Sequence, residues 1–140
     1  MSQTPEILFH EDFPEELQPQ VRRILEPHLH LARWIHTVKV YLGSDEAMEA
    51  SITVMRRYHI AHLDIHPNFF GLTWSEREST LVHELFHVVV DVFSREVKWV
   101  TQTWVEPETR TYVEGRLEDA EETLVDSLAH VYLEGLKETS

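Results

Sequence analysis

Two histidines four residues apart, with a glutamate beside the first, are the residues of this chain best suited to chemistry. In an α-helix, His83 and His87 would lie one turn apart on the same face. Two imidazoles at that spacing can both reach one Zn²⁺ at about 2.0–2.1 Å. Glu84 would project beside such a metal, where its carboxylate can take a proton from an activated water. The H-E-x-x-H spacing therefore indicates the active-site helix of a zinc-dependent peptidase.

The residues around this motif predict that it lies on a buried helix. Ser75 to Glu78 and Thr73 to Glu76 are both capping boxes, and either can start a helix that runs to Arg95. A helix that is apolar on nearly every face is a buried one, and the apolar neighbours here are Leu81, Val82, Leu85, Phe86, Val88, Val89, Val90, Val92 and Phe93. Burying two histidines and a glutamate there costs free energy unless each is paired or ligated. The alternative is a pair of satisfied core histidines beside a chance glutamate.

Composition narrows the class of protein. The 140 residues, 42% hydrophobic and 26% charged, predict one domain over residues 1–140, with residues 1–11 poorly ordered. A net charge of −13 opposes contact with phosphate backbones, so we expect no nucleic-acid partner. The absence of cysteine excludes thiolate ligands and disulfides. No signal core or transmembrane run is seen, so we expect a cytoplasmic protein without a membrane partner.

Hydrophobic periodicity predicts a helix capped by Asp12 and broken near Pro27, and then three strands over residues 35–42, 50–58 and 59–66. His28 and His30 are expected to be exposed. A β-rich segment over 96–105 and a final helix over 109–138 follow. The predicted apolar stripe of that last helix is Leu117, Ala120, Leu124, Leu128, Val131 and Leu136.

The strand over residues 59–66 alternates apolar and polar side chains. We expect it to be an exposed edge strand beside the metal, where it could pair with an extended substrate through main-chain hydrogen bonds. Its polar residues His62, Asp64 and His66 would protect that edge from aggregation. The alternative is that these residues form a second metal site with His59.

A zinc hydrolase needs three protein ligands and an open fourth position, so one ligand must come from outside the motif. The spacing that would add a third histidine is absent, because Val90 and Phe93 occupy the relevant positions. A carboxylate on the last helix is the remaining source. Glu122 is the preferred ligand, with Asp126 one turn on to orient a ligating histidine. Glu121 is the competitor, although helical periodicity places it on a more apolar stripe.

H-E-x-x-H followed by a downstream E-x-x-x-D resembles the gluzincin metallopeptidases, their reduced relatives the minigluzincins, and the ImmA/IrrE family. The matching residues of the last helix are Glu122, Asp126, Leu128 and Ala129. The resemblance implies an α+β, zincin-like fold, in which a three- or four-stranded sheet packs on the H-E-x-x-H helix. An N-terminal helix precedes this arrangement, and a C-terminal helix carries the third ligand. Asp126 departs from the ImmA/IrrE pattern, which usually has Asn there.

The resemblance also implies a zinc metalloendopeptidase that acts on a peptide or protein, with Glu84 as general base. His130 and Tyr112 are the candidates for stabilising an oxyanion. The alternative is an inactive or zymogenic zinc-binding regulator that binds a protein partner. The sequence does not determine the natural substrate or the oligomeric state.

Overall fold

A computed structural model describes residues 4–139, and these divide into two compact units, Met1–Val88 and Val89–Ser140. The division falls within one long helix, and each unit is described by itself. The fold is α+β, with a four-stranded sheet and three α-helices. That residues 1–140 act as a single domain stays a prediction.

The first unit is built on a sheet with the strand order β1-β2-β4-β3. Its strands are β1 (Glu6–Phe9), β2 (Thr37–Leu42), β3 (Ala50–Met55) and β4 (Ile60–Ile65). β1, β2 and β4 run parallel, and β3 is antiparallel to β4. The parallel pairing of β1 with β2 requires a crossover, which contains α1 (Gln18–Leu25) and a 3-10 segment (Glu26–Ala32).

Two expectations for the strands are wrong. Residues 6–9 form β1 rather than a disordered end, although residues 1–3 lie outside the described part of the chain. β4 is not an edge strand, because it pairs with β2 on one side and β3 on the other, and β1 and β3 form the edges. Alternation of apolar and polar side chains indicates only that one face of the sheet is more polar than the other, and a central strand can show this pattern as well as an edge strand.

The first helical region breaks where proline predicts it. α1 ends at Leu25, and the chain continues in 3-10 geometry from Glu26. Pro27 has no amide hydrogen for an α-helical bond, so the tighter geometry is favoured. The start differs from the expected Asp12 cap, since a 3-10 turn over Glu15–Leu17 precedes α1.

One face of the sheet and two helices form the core of the first unit. Buried residues from β2 and β4 pack with Val21 and Leu25 of α1 and with Leu81 and Leu85 of the next helix. That helix, α2 (Trp74–Trp104), carries the H-E-x-x-H motif. The prediction of a helix over residues 75–95 is confirmed, and its first turns belong to the apolar core.

The start of α2 is fixed by a capping box. The amide of Thr73 donates to Oε1 of Glu76 at 2.9 Å, and the amide of Glu76 donates to Oγ1 of Thr73 at 3.2 Å. The bonds from the Thr73 amide and then from its hydroxyl lower the pKa of the Glu76 carboxyl. Because the folded pKa lies below the unfolded one, this stabilisation is complete above the unfolded pKa and is lost as the pH falls through the folded pKa.

The described residues of the second unit are helical except for the link at residues 105 and 106. α2 continues to Trp104, and α3 (Pro107–Thr139) follows. The expected β-rich segment over residues 96–105 is therefore wrong, and the predicted last helix is confirmed. Strand propensity is a weak preference, and residues 72–106 contain no glycine or proline to end the helix before Pro107. Among residues 4–139, no helix combines the length and apolarity needed to cross a membrane.

The predicted apolar stripe of α3 is largely wrong. Leu124, Val131 and Leu136 are exposed, and the buried apolar residues of this helix are Val125 and Ala129. The two buried residues are four apart and so lie on one face of α3. Glu122 is three residues before Val125 and seven before Ala129, which places it on this same face.

Substituting Thr73 by alanine should destabilise the protein by about 1 kcal/mol, because it leaves an amide at the start of α2 without its cap. Chemical denaturation with urea at neutral pH measures this loss. Ser75→Ala is the matched control, since Ser75 lies inside α2 and its change should cost no more than about 0.5 kcal/mol. Equal losses in the two variants would show that Thr73 does not cap the helix.

Candidate metal centre

His83 and His87 face each other on α2. Their Nε2 atoms lie 3.3 Å apart, and the ring centroids are 5.0 Å apart with an interplanar angle of 74°. Both side chains are half-buried. The i,i+4 spacing therefore brings two imidazole nitrogens to one point on the helix surface, as the sequence predicted.

The separation of these nitrogens suits a metal ion. Two nitrogens bound to a tetrahedral zinc at about 2.05 Å lie about 3.3 Å apart, which equals the distance between the two Nε2 atoms. The same distance also permits a weak hydrogen bond between neutral rings, in which one Nε2 donates and the other accepts. The donor chemistry fits zinc, since imidazole is one of its common ligands and the chain has no cysteine.

Glu84 lies next to this pair and is only 9% exposed. At about 100° of rotation per residue, His83, His87 and Glu84 fall within an arc of about 100° around the helix axis. Their neighbours on α2, Leu85 and Phe86 among them, are buried and apolar. Glu84 is therefore a buried carboxylate that follows His83 directly in the chain, and burial makes electrostatic interactions stronger there than in solution.

Arg77 fixes the first turns of α2. Its guanidinium donates to the carbonyl oxygens of Leu72 at 3.1 Å and Phe70 at 2.6 Å, and to Oε1 of Gln20 at 2.9 Å. It also lies over the ring of Phe69, 5.6 Å from the centroid. One side chain thus ties the start of the motif helix to α1 and to the 3-10 segment Pro67–Gly71, two turns before His83.

Two further contacts hold the same helix. His28 is 2% exposed, and its Nε2 lies 2.8 Å from Oε2 of Glu78. The indole N–H of Trp34 donates to the carbonyl of Val88 at 3.1 Å. The expectation that His28 is exposed is wrong, whereas His30 is exposed as expected. Sequence reasoning missed Arg77, His28 and Trp34, and no local pattern marks them because their partners lie far away in the chain.

The predicted third ligand belongs to the second unit. Glu122 and Asp126 are exposed on α3, and Glu121 is half-buried. Within this unit, Glu121 and Glu122 line a cavity of about 520 Å³ together with residues of α2, among them Val90 and Val97. The role of Glu122 as a ligand and that of Asp126 as its supporting residue stay predictions.

The other predicted site residues separate into two groups. Tyr112 and His130 are exposed on α3, and their proposed role at an oxyanion stays a prediction. His62 and Asp64 are half-buried on β4, in mid-sheet, so they do not protect an edge.

His66 is a structural residue rather than a substrate contact. It is 6% exposed, its Nδ1 accepts from the amide of Asp45 at 3.1 Å, and its Nε2 lies 3.2 Å from Oγ of Ser51. Because Nδ1 accepts, the neutral ring carries its proton on Nε2 and donates it to the serine. With both nitrogens used in this way, His66 is not suited to a second metal site or to activating Ser51.

Gly43→Ala should destabilise the protein by about 1–3 kcal/mol, because an added Cβ would overlap the buried ring of His66. The amide of Gly43 is held by the carbonyl of Ile65 at 2.8 Å, so the backbone has little freedom to move away. Urea denaturation measures the effect. Gly71→Ala is the matched control, since a Cβ there meets nothing within 4 Å. A variant at Gly43 as stable as the one at Gly71 would contradict this packing.

In comparisons with protein-family models, curated proteins and solved structures, nothing matches this chain. The functional argument therefore depends on the residues themselves.

Proposed function

We propose that this protein is a zinc-dependent peptidase with a zincin-like fold. The observation that carries the proposal is the pair of Nε2 atoms of His83 and His87, 3.3 Å apart, together with the buried glutamate, Glu84, that follows His83 in the helix. A purely structural zinc site has no need of a carboxylate in that position. A hydrolase does, because a general base must lie next to the reacting water.

The proposed ligands are one imidazole nitrogen each from His83 and His87 and one carboxylate oxygen from Glu122. Three protein ligands with an open fourth position are the arrangement found in catalytic zinc sites. Asp126, one turn after Glu122, would accept the remaining N–H of a ligating histidine and hold its ring in place.

Two observations, one on α2 and one on α3, support Glu122 as the third ligand of the proposed metal site. Val90, which follows His87 by less than one helical turn, lines the same cavity as Glu122 in the second unit. Glu122 also shares a face of α3 with the buried residues Val125 and Ala129. The smallest of these, Ala129, would let another helix approach α3 closely. Glu121 lines the cavity as well, so the choice between the two glutamates is left to experiment.

In the proposed reaction, Glu84 takes a proton from the water that attacks the peptide carbonyl, and it gives this proton to the leaving amine as the C–N bond breaks. Zinc, when bound, would supply the Lewis acidity that makes a water ionise near neutral pH and polarises the substrate carbonyl. The apolar surroundings of Glu84 exclude bulk water and so favour transfer of the proton within the site.

Glu84→Gln should retain zinc and the fold but lose about 10²–10⁴-fold or more in the rate of peptide hydrolysis, because glutamine cannot act as a base. Zinc content by elemental analysis and cleavage of unfolded protein substrates are the two measurements. Glu96→Gln, three turns further along α2, is the matched control and should leave both unchanged.

Undiminished cleavage by Glu84→Gln would refute the mechanism. Stoichiometric zinc in the wild-type protein without cleavage of any substrate would favour the alternative, a zinc-binding regulator or zymogen that binds a protein partner.

Glu122→Ala should release zinc, whereas Glu121→Ala should retain it, because only the first removes a ligand. Zinc stoichiometry of the two purified variants decides between the glutamates. Loss of a ligand should also lower the melting temperature, since metal binding energy is partly folding energy. Asp126→Ala should weaken zinc binding by about 10–100-fold, because it removes the acceptor proposed to orient a ligating histidine. If Glu122→Ala retained zinc and Glu121→Ala lost it, Glu121 would be the third ligand instead.

A further inference from the structure

The half of α2 that lies in the second unit exposes large apolar side chains along one face. They are between 39% and 74% exposed, and they are Val89, Val92, Phe93, Trp99, Val100 and Trp104. At about 100° per residue these six fall within an arc of about 140° around the helix axis. Glu96 and Thr103 are the polar residues within that arc. We call the six apolar residues the distal α2 face.

The size of this face approaches that of a protein interface. Full burial of a Phe or Trp removes about 150–250 Å² from water, so the exposed fractions of these six side chains leave roughly 600–700 Å² of apolar surface. An apolar patch of that area exceeds what most monomeric proteins expose, and such patches mark interaction sites. A typical interface buries about 800 Å² on each partner.

The charge of the same segment identifies the kind of partner. The chain carries −13 overall, so two copies repel each other over most of their surface. Residues 89–104, however, contain two acidic residues, Asp91 and Glu96, and two basic ones, Arg95 and Lys98, which gives a net charge of zero. A cationic partner would be drawn to the acidic surfaces instead, whereas a neutral apolar face is where two acidic copies can meet with the least repulsion.

We propose that the distal α2 face is the interface of a homodimer, in which the α2 helices of two copies pack against each other. In a twofold-symmetric pair each chain contributes the same patch. Two such patches together would bury at most about 1,200–1,400 Å² of apolar surface, at the lower end of the range for specific protein–protein interfaces. Trp99 and Trp104 are the anchors of this interface, because tryptophan is enriched among the residues that dominate binding. The proposal is independent of any metal or catalytic activity.

The test is the mass of the 140-residue chain in solution, measured by sedimentation equilibrium over a range of micromolar concentrations. We expect a dimer, together with a shift of tryptophan fluorescence to shorter wavelength as concentration rises, since both anchors lose contact with water. The variant Trp99→Glu/Trp104→Glu should weaken the dimer by about 10³-fold or more, because each substitution occurs twice in a symmetric interface.

Two control variants distinguish the loss of contacts at the distal α2 face from a general effect of added charge on dimerisation. Val131→Glu/Leu136→Glu adds the same charge at exposed apolar positions of α3, 68% and 41% exposed, and should remain dimeric. Trp99→Lys/Trp104→Lys changes the charge in the opposite direction and should still dissociate. Circular dichroism and thermal melting would check that each variant is folded. We expect the tryptophan variants to fold, because Trp99 and Trp104 are 58% and 74% exposed in the single chain.

Three results would overturn the proposal. One is a wild-type protein that stays monomeric throughout the concentration range. Another is a dimer that the tryptophan variants leave intact or that the α3 control disrupts equally. The third is a monomer that co-sediments with phosphatidylcholine vesicles through Trp99 and Trp104, which would assign the face to a lipid surface.

Discussion

The rotation of α2 about its own axis is the constraint on which the candidate site depends. Neighbouring residues of a helix point about 100° apart, so rotation of α2 about its axis would change the directions in which His83, Glu84 and His87 all point. Arg77 prevents this by bonding to three separate oxygens at the start of the helix. Trp34 holds the carbonyl of Val88 immediately after the motif. The helix is therefore fixed on both sides of the three residues that would do the chemistry.

The fixed orientation of α2 also allows apolar and polar residues to occupy different sides of the same helix. Leu81, Leu85 and Val88 belong to the core of the first unit, and they occupy the face of α2 that packs there. His83 and His87 lie on the other side of α2, about 130–170° around the helix axis from that face, and they are half-buried. Apolar contacts on one side of α2 thus position the helix, and its other side presents the two histidines that would bind a metal in the proposed site.

Local patterns in the sequence predicted most of the first unit. The capping box at Thr73, the motif helix, the break near Pro27 and three of the four strands all depend on residues close together in the chain. The failures concern partners distant in the sequence. The order of strands places β4 in the middle of the sheet, and Glu78 pairs with the buried His28 from 50 positions away. Single residues carry no signal of such partners.

The segment over residues 96–105 shows a different limit of sequence-based prediction. Its valines, threonines and tryptophans favour a strand. The segment nevertheless continues α2, because nothing interrupts the helix before Pro107.

Periodicity alone cannot tell an apolar stripe that packs within a chain from one that meets another molecule, because burial of either requires the same residues at the same spacing. On α3 the predicted stripe contains Leu124 and Val131, which are exposed, whereas Val125 and Ala129 are buried. On the distal α2 face a similar exposure coincides with local charge neutrality in a chain of net charge −13. Apolar spacing identifies surfaces that need a partner, and the distribution of charge then favours one partner over another.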